Sequence, residues 1–409
     1  MARKTKAQIQ AEKDAQKVER GINTLSEAIK FCAPGYKENG EPYSQFAVLW
    51  GGWMTTYNGV VMYGHPIAEE IQACPNFGQL QAAVKAIGAE ANSITVIDAN
   101  RLAIKGAKAR YVVKCISDYS VVIRQPPDAP VGPLTSNMRE GFEVMKQIAS
   151  KSGEHVLTAS ILLRSGDMVA SDLQLIVSYW HGLGFPTLTV PADFVEAILR
   201  IPKALVQFGY SERSLTFYFE DGSFVRTQLY SEEWPDVNKV LNFDATAMAA
   251  VPEGFFDALD KSKMFTDRNY VLLDQDEVRT HEETDVGCVV SVPGLLPCEL
   301  GVDAVRLSKL AGRVTHLDYW TDGSRVCLAG ENLRGVCANF EAGEEAGYSP
   351  GTPPPIAPPP MPPDQAFTPP SPPEAPVYTH LQDEDDGDDE EEAVPPPAAP
   401  GMGNFGPAV

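Results

Sequence analysis

The side chains of this 409-residue chain that could do chemistry are few, and their spacing argues against a reaction. Ser171 beside Asp172 suggests a hydrolase turn, and Asp274, Asp276, Glu277, Glu282, Glu283 and Asp285 suggest a cation site. A nucleophile needs a base within hydrogen-bond reach, and a cation needs donors at fixed offsets. The six histidines, His65, His155, His181, His281, His316 and His380, stand alone, and no GxxxxGK[ST], GxSxG, HExxH or CxxC pattern occurs. Turn aspartates and solvated loop charges account better for both groups. Cys288, Cys298, Cys327 and Cys337 with His316 fit no zinc spacing and lie in apolar, strand-like sequence. The expectation is a protein that is not an enzyme and that carries no metal or cofactor.

Composition separates a globular body from a tail. Residues 341–409 hold 19 of the 34 prolines, no Lys or Arg, and 14 of the 55 acidic residues, nine of them between Asp383 and Glu392. Such a segment cannot bury enough apolar surface to fold, so a disordered, acidic, Pro-rich tail is expected. All 33 Lys and Arg and the remaining 41 acids lie in residues 1–340, which carry −8 of the total −22. Seven cysteines without a paired motif, and no apolar leader, predict a reduced cytoplasmic protein. No run of about 18 apolar residues is present to cross a bilayer, so no membrane partner is expected.

The elements that must position any site are clearest at residues 214–236, SLTFYFEDGSFVRTQLYSEEWPD. Leu215, Phe217 and Phe219 alternate with Thr216, Tyr218 and Glu220, Asp221-Gly222 supplies a positive-φ turn, and Val225, Thr227 and Leu229 return. That is a hairpin with one buried face. The layout recurs at 315–336 around Asp322-Gly323, and more loosely at 94–116. Around each copy the order is helix, strands, helix, strands, which suggests one unit used three times. Helical spacing is carried by Leu25, Ala28, Ile29 and Cys32, by Phe77, Leu80, Ala83, Val84 and Ile87, and by Phe142, Met145, Ile148 and Ala149 behind Asn137. It is carried again by Phe194, Ala197, Ile198 and Ile201 behind Pro191, by Phe255, Phe256 and Leu259 behind Pro252, and by Val302, Val305, Leu307, Leu310 and Ala311. Strands are expected from His155 to Trp180.

The fold class is therefore α+β, with three tandem domains that each pack two helices on antiparallel sheets. The boundaries are a basic N-terminal extension over 1–19, domains over 20–125, 137–241 and 242–340, a Pro-rich linker over 126–136, and the tail over 341–409.

In order and spacing these residues resemble the DNA sliding clamps, the three-domain β subunit of bacterial replicative DNA polymerase III. GDMVASDLQLIV (166–177), FPTLTVPADFVEAILRI (185–201) and QLYSEEWPDVNKVL (228–241) look like successive pieces of the family's middle domain. LWGGWMTTYNG (49–59) resembles the matching strand pair of the first domain, and VPGLLPCELGVDAVRLSKLAG (292–312) the run into the last helix. The resemblance implies a head-to-tail homodimer, a six-domain ring with helices lining the hole, double-stranded DNA inside it, a tethered replicative DNA polymerase and a separate ATP-dependent clamp loader. A long tail on a divergent body suggests a viral or mobile-element replicon.

Inner helices should then carry the DNA-facing cations: Lys30, Lys85, Arg139, Lys146, Lys151, Arg200, Lys203, Lys261, Lys263, Arg306, Lys309 and Arg313. With nine acids among them the helices sum to only +3, which suits loose, sequence-independent contact. The family's partner-peptide pocket maps to Leu173, Leu175, Asn242, Phe243, Val336, Cys337, Ala338, Asn339 and Phe340. The family's Gly and basic residue after the turn aspartate are replaced by Leu173 and Gln174. The tail either competes with DNA for basic surface or is a solvated appendage. A single-stranded DNA-binding protein with an acidic C-terminal tail, and a clamp-fold adaptor for repair or transcription proteins, are the alternatives in function.

Overall fold

Alternation along the central hairpin decides which way its surroundings face. The computed structural model describes residues 25–88, 91–117, 126–135, 137–150, 155–266, 270–280, 287–295, 300–319 and 325–339. The basic N-terminal extension, the tail, Lys151, Phe340 and the Asp322-Gly323 turn lie outside these residues.

The first repeat contains helix α1 (25–32), the short α2 (Pro42–Gln45), strands β1 (Val48–Trp50), β2 (Trp53–Tyr57) and β3 (Val61–Pro66), helix α3 (Phe77–Ile87), and strands β4 (Ala91–Asp98), β5 (Arg101–Gly106) and β6 (Arg110–Lys114). The second contains β7 (Gly132–Pro133), α4 (Asn137–Ile148), α5 (Val156–Ala159), β8 (Ser160–Leu163), β9 (Asp167–Ser171), β10 (Leu175–Trp180) and β11 (Leu188–Pro191). It closes with α6 (Ala192–Arg200), β12 (Leu205–Tyr210), β13 (Ser214–Phe219) and β14 (Phe224–Gln228). After α7 (Asn238–Leu241) at the end of the second, the third runs through β15 (Ala249–Ala250), α8 (Phe255–Ser262), β16 (Tyr270–Asp274), β17 (Glu277–Arg279) and β18 (Val289–Ser291). It ends with β19 (Leu300–Asp303), α9 (Ala304–Ser308), β20 (His316–Asp318), β21 (Arg325–Ala329) and β22 (Leu333–Ala338).

These strands form four antiparallel sheets, and two of them combine strands of neighbouring repeats. A seven-stranded sheet has the order β1-β2-β3-β14-β13-β12-β7, so the first repeat joins the second where β3 meets β14. An eight-stranded sheet has the order β11-β8-β9-β10-β22-β21-β20-β15, so the second joins the third where β10 meets β22, with Leu175 opposite Cys337 and Tyr179 opposite Leu333. The remaining sheets, β18-β17-β16-β19 and β4-β5-β6, each belong to one repeat.

The helices pack on one face of this framework. In β13, Leu215, Phe217 and Phe219 are buried, and Phe217 wedges between α4 and α6, with Phe142 at 5.6 Å and a stacked Phe194 at 5.7 Å. Gly222, at φ 82°, makes the Asp-Gly turn that returns the chain into β14. Helix α3 is capped by Asn76, whose carbonyl oxygen accepts from the Gln79 amide at 3.0 Å.

Three expectations need correction. Residues from His155 do not begin a strand; Val156–Ala159 form the helical turn α5, capped by His155, before β8 starts. The last helix is short, since Val302 is in β19, α9 ends at Ser308, and the turn at 309–313 closes on Gly312 at φ 74°. The Pro-rich linker is also no passive spacer. Gly132 and Pro133 add the edge strand β7 to β12, and Asp128 accepts from the Ser214 and Thr216 hydroxyls at 2.7 and 2.8 Å while pairing with Arg226 at 3.5 Å.

His181 is buried between β10 and β11 in a setting that admits only the neutral ring. Its Nδ1 accepts from the Leu183 amide at 3.0 Å, leaving the proton on Nε2, and Phe185 packs edge-on at 5.4 Å. Burial brings its pKa down to about 4, with Asp167 opposing that shift. The unfolded chain therefore binds more protons than the folded one between about pH 6.5 and 4, and stability falls as the pH drops through that window. Chemical denaturation at pH 7 and pH 4.5 is expected to show a loss of about 2–3 kcal/mol at the lower pH. His181→Gln should remove most of that slope; an unchanged slope would refute the assignment.

Candidate functional site

The helix cations expected to face DNA fall into distinct groups. Lys30 on α1, Lys85 on α3 and Lys146 on α4 are exposed and make no ion pair among the described residues. Arg139 reaches from α4 to the end of α6, donating to the Leu199 carbonyl at 2.9 Å and the Lys203 carbonyl at 3.4 Å, where it satisfies the last turn of that helix. Along the helices, Arg200 pairs with Glu196, Lys261 with Asp257 at 2.6 Å, and Lys263 with Asp260.

The other cations sit at junctions between repeats. Lys203 pairs with Asp221 and lies 5.0 Å over the Phe31 ring of α1, and His65 of β3 places Nε2 3.4 Å from the same Asp221. Burial works against ionisation of Asp221, yet Lys203 and Ser223 hold its carboxyl down at about 2. At the next junction Arg306 pairs with Asp303 and, at 2.8 Å, with Asp172, while Lys309 lies 3.8 Å from Asp172. Arg313 pairs with Glu140 at 2.6 Å and Glu143 at 3.7 Å on α4. Apart from Arg306 with Asp303, compensation at the junctions was invisible in the sequence because these partners are far apart along the chain.

The nine residues mapped to a partner-peptide pocket do not come together as one surface. Leu175 and Cys337 face each other across β10 and β22 and point into the main core, fully buried with the helices. Val336 points to the opposite sheet face, into a second apolar cluster with Leu162, Val169, Val237, Leu241 and Met248, and Phe243 packs against it. Arg334 stands 5.5 Å over the Phe243 ring. Asn242, Leu173 and Ala338 are exposed, Asn339 is half-buried, and Phe340 is outside the described residues. Ile176, Leu241 and Met248 were missed; period-two alternation from Leu175 would have placed Ile176 on Val336's face.

The turn before β10 is held by its own side chains. Ser171 Oγ accepts from the Leu173 amide at 3.0 Å, and Asp172 Oδ1 accepts from the Gln174 and Leu175 amides at 3.2 and 2.8 Å. This locks Leu173 at φ 74°, a conformation that favours glycine, with its side chain 60% exposed.

Two strand edges bear on the assembly. The first halves of the three repeats correspond, β3, β10 and β18 being matching positions, and so do the second halves, with β6, β14 and β22. Tyr230 beyond β14 bridges to Thr189, as Cys115 beyond β6 bridges to Pro75. β3 meets β14 and β10 meets β22, but β18 pairs only with β17, and β6 only with β5, among the described residues. Near these edges apolar side chains face solvent: Tyr111 and Val112 (50%) on β6, and Val289, Met264 (73%) and Phe265 (53%) on the third repeat.

No protein-family model matches the chain, and no curated protein matches its sequence. Solved structures do match. The DNA polymerase III subunit beta from Pseudomonas aeruginosa superposes with a TM-score of 0.63 at 12% identity, over 78% of this chain and 98% of that one. The Helicobacter pylori beta clamp, bound to a DNA ligase peptide, gives 0.61 at 13% identity over 78% and 98%. The Caulobacter, C. crescentus, beta sliding clamp gives 0.63 at 14% identity over 78% and 97%. The chain has the sliding-clamp fold, in a divergent sequence.

Two substitutions in the β9–β10 turn should act in opposite directions. Leu173→Gly relieves a left-handed backbone worth about 1–2 kcal/mol, offset by about 0.5–1 kcal/mol of extra unfolded-chain entropy, so the denaturant midpoint should rise slightly. Asp172→Asn keeps an oxygen for the turn but removes the charge facing Arg306 and Lys309, and should cost about 1–2 kcal/mol. A lower midpoint for Leu173→Gly would show that the leucine side chain is itself held by a contact.

Proposed function

We propose that this chain is a processivity clamp: two copies join head to tail, β6 of one pairing with β18 of the other, and close a ring that encircles duplex DNA. The observation that carries this reading is the pair of strand edges. Each in-chain junction joins a β3-type strand to a β14-type strand, and among the described residues one strand of each type is left over, at opposite ends of the repeat series. A head-to-tail contact repeats until it closes, so two three-repeat chains make a closed set of six. Exposed Val112, Met264 and Phe265 supply apolar surface beside those edges.

Such a ring stays on DNA by topology, so its inner surface need not bind phosphate tightly. The pairing of Arg200, Lys261, Lys263, Arg306 and Arg313 with acids suits that requirement, and Lys30, Lys85 and Lys146 provide loose attraction. The gain is effective concentration: a tethered replicative polymerase rebinds its primer end before it diffuses away. A separate ATP-driven loader opens the ring, since the chain contains no phosphate-binding GxxxxGK[ST] loop. The ligase peptide on the Helicobacter clamp supports docking of a partner segment, for which we propose the β10–β22 junction around Leu173, Phe243 and the exposed end of β22.

Light scattering is expected to give twice the 44.4 kDa chain mass. Val112→Asp combined with Phe265→Asp should yield monomer with an unchanged circular dichroism spectrum. A wild-type monomer at micromolar concentration would remove the basis for a ring.

After loading onto nicked circular DNA, the protein should resist high salt and then leave when the circle is cut. Equal loss from circular and linear DNA in high salt would show simple phosphate binding instead.

A further inference from the structure

The seven-stranded sheet carries, on the face away from the helices, an open apolar groove of about 480 Å³. Its rim is the hairpin Trp50-Gly51-Gly52-Trp53, where Gly51 and Gly52 at φ 59° and 77° form a two-residue turn that sets Trp50 directly opposite Trp53. Residues opposite each other in an antiparallel pair share a face, so the two indoles stand side by side. The floor is Phe224, buried and 5.2 Å edge-on to Trp53. Gly64 makes room for it, because a Cβ there would meet the Phe224 ring at 2.2 Å. Pro126 and Pro127 form the far wall, held by the neighbouring Asp128 through Ser214, Thr216 and Arg226. None of the described residues lining the groove is charged, and Trp50 remains 45% exposed.

The corresponding face at the other junction is covered. There Val237, Leu241 and Met248, from α7 and the segment after it, close over Leu162, Val169 and Val336. At the Trp50 junction two prolines are the described residues that do part of that work, and Trp50 keeps 45% of its surface exposed.

We propose that this groove docks the chain's own segment 353–363, PPPIAPPPMPP. Three things select it. Two indoles on one sheet face and a proline-lined wall form the kind of surface that grips polyproline II segments, which lose little entropy on binding. Residues 346–363 carry no charge, matching a groove without one, whereas the run from Asp383 to Glu392 would have to give up its hydration there. The fourteen residues from 340 to 353 follow the last described residue, Asn339, and span up to about 48 Å when extended, so the segment has the reach to cross a repeat. The docking does not depend on closure of a ring.

The test uses the full chain with a photo-crosslinking benzoylphenylalanine in place of Ile356. Irradiation followed by peptide mapping should place most of the product at residues 48–55, 126–127 or 224. Trp50→Ser, a change at an exposed position, should lower that product at least five-fold, and a free peptide of residues 350–363 should compete with it. Product spread over the surface, concentrated on another site, or unaffected by Trp50→Ser would overturn the proposal. Acrylamide quenching gives a second readout: replacing the prolines at 353–355 and 358–360 with serine should increase quenching of the Trp50 contribution, taken as the difference from Trp50→Phe. No increase would likewise overturn it.

Discussion

The structure depends on main-chain pairing between strands of different repeats. A sheet edge presents a row of unpaired amides and carbonyls, and a three- or four-stranded sheet with both edges open has little to hold it. Here β3 is completed by β14 and β10 by β22, so each joint satisfies edge groups of both repeats at once. The buried faces follow from that register. Leu175 and Cys337 enter the main core together, while Ile176 and Val336 enter the second cluster together, because opposite residues share a face.

Charge is arranged to serve the joints before it serves any ligand. Arg306 and Lys309 converge on Asp172, Arg313 on Glu140 and Glu143, and Lys203 and His65 on Asp221. The groups at Asp172 and Asp221 are partly shielded, so their attraction is stronger than that of an exposed pair such as Arg313 with Glu140. Cys32 and Cys337 are fully buried, and burial pushes the Cys337 thiol up to about 12, far from the thiolate that reacts.

Much of this was legible in the sequence, for identifiable reasons. Alternation of Leu215, Phe217 and Phe219 fixed one face of β13, Asp221-Gly222 marked its turn, and apolar residues at helical spacing located α1, α3, α4, α6 and α8. Period two tells which face a side chain takes but not which strand lies beside it, so the β3–β14 and β10–β22 joints could not be read directly. The apolar run through Val302 and Leu310 overstated α9 because a buried strand and a buried turn have no periodicity that separates them from a helix. For the candidate site, the types and helical positions of the cations were legible, as were acids a turn away on the same helix, whereas the acidic partners across the junctions were not. The pocket residues were chosen by position along a motif, which cannot assign Leu175 and Val336 to opposite faces.

The Asp128 anchor has a mechanical consequence. The linker between the first and second repeats is fastened to the sheet that it spans, and the joint between the second and third is cross-braced by Arg306 and Arg313. Force applied to the chain is therefore carried through two stiffened hinges. The edges at β6 and β18 have no such bracing among the described residues, so an assembly built through them has its yield point there.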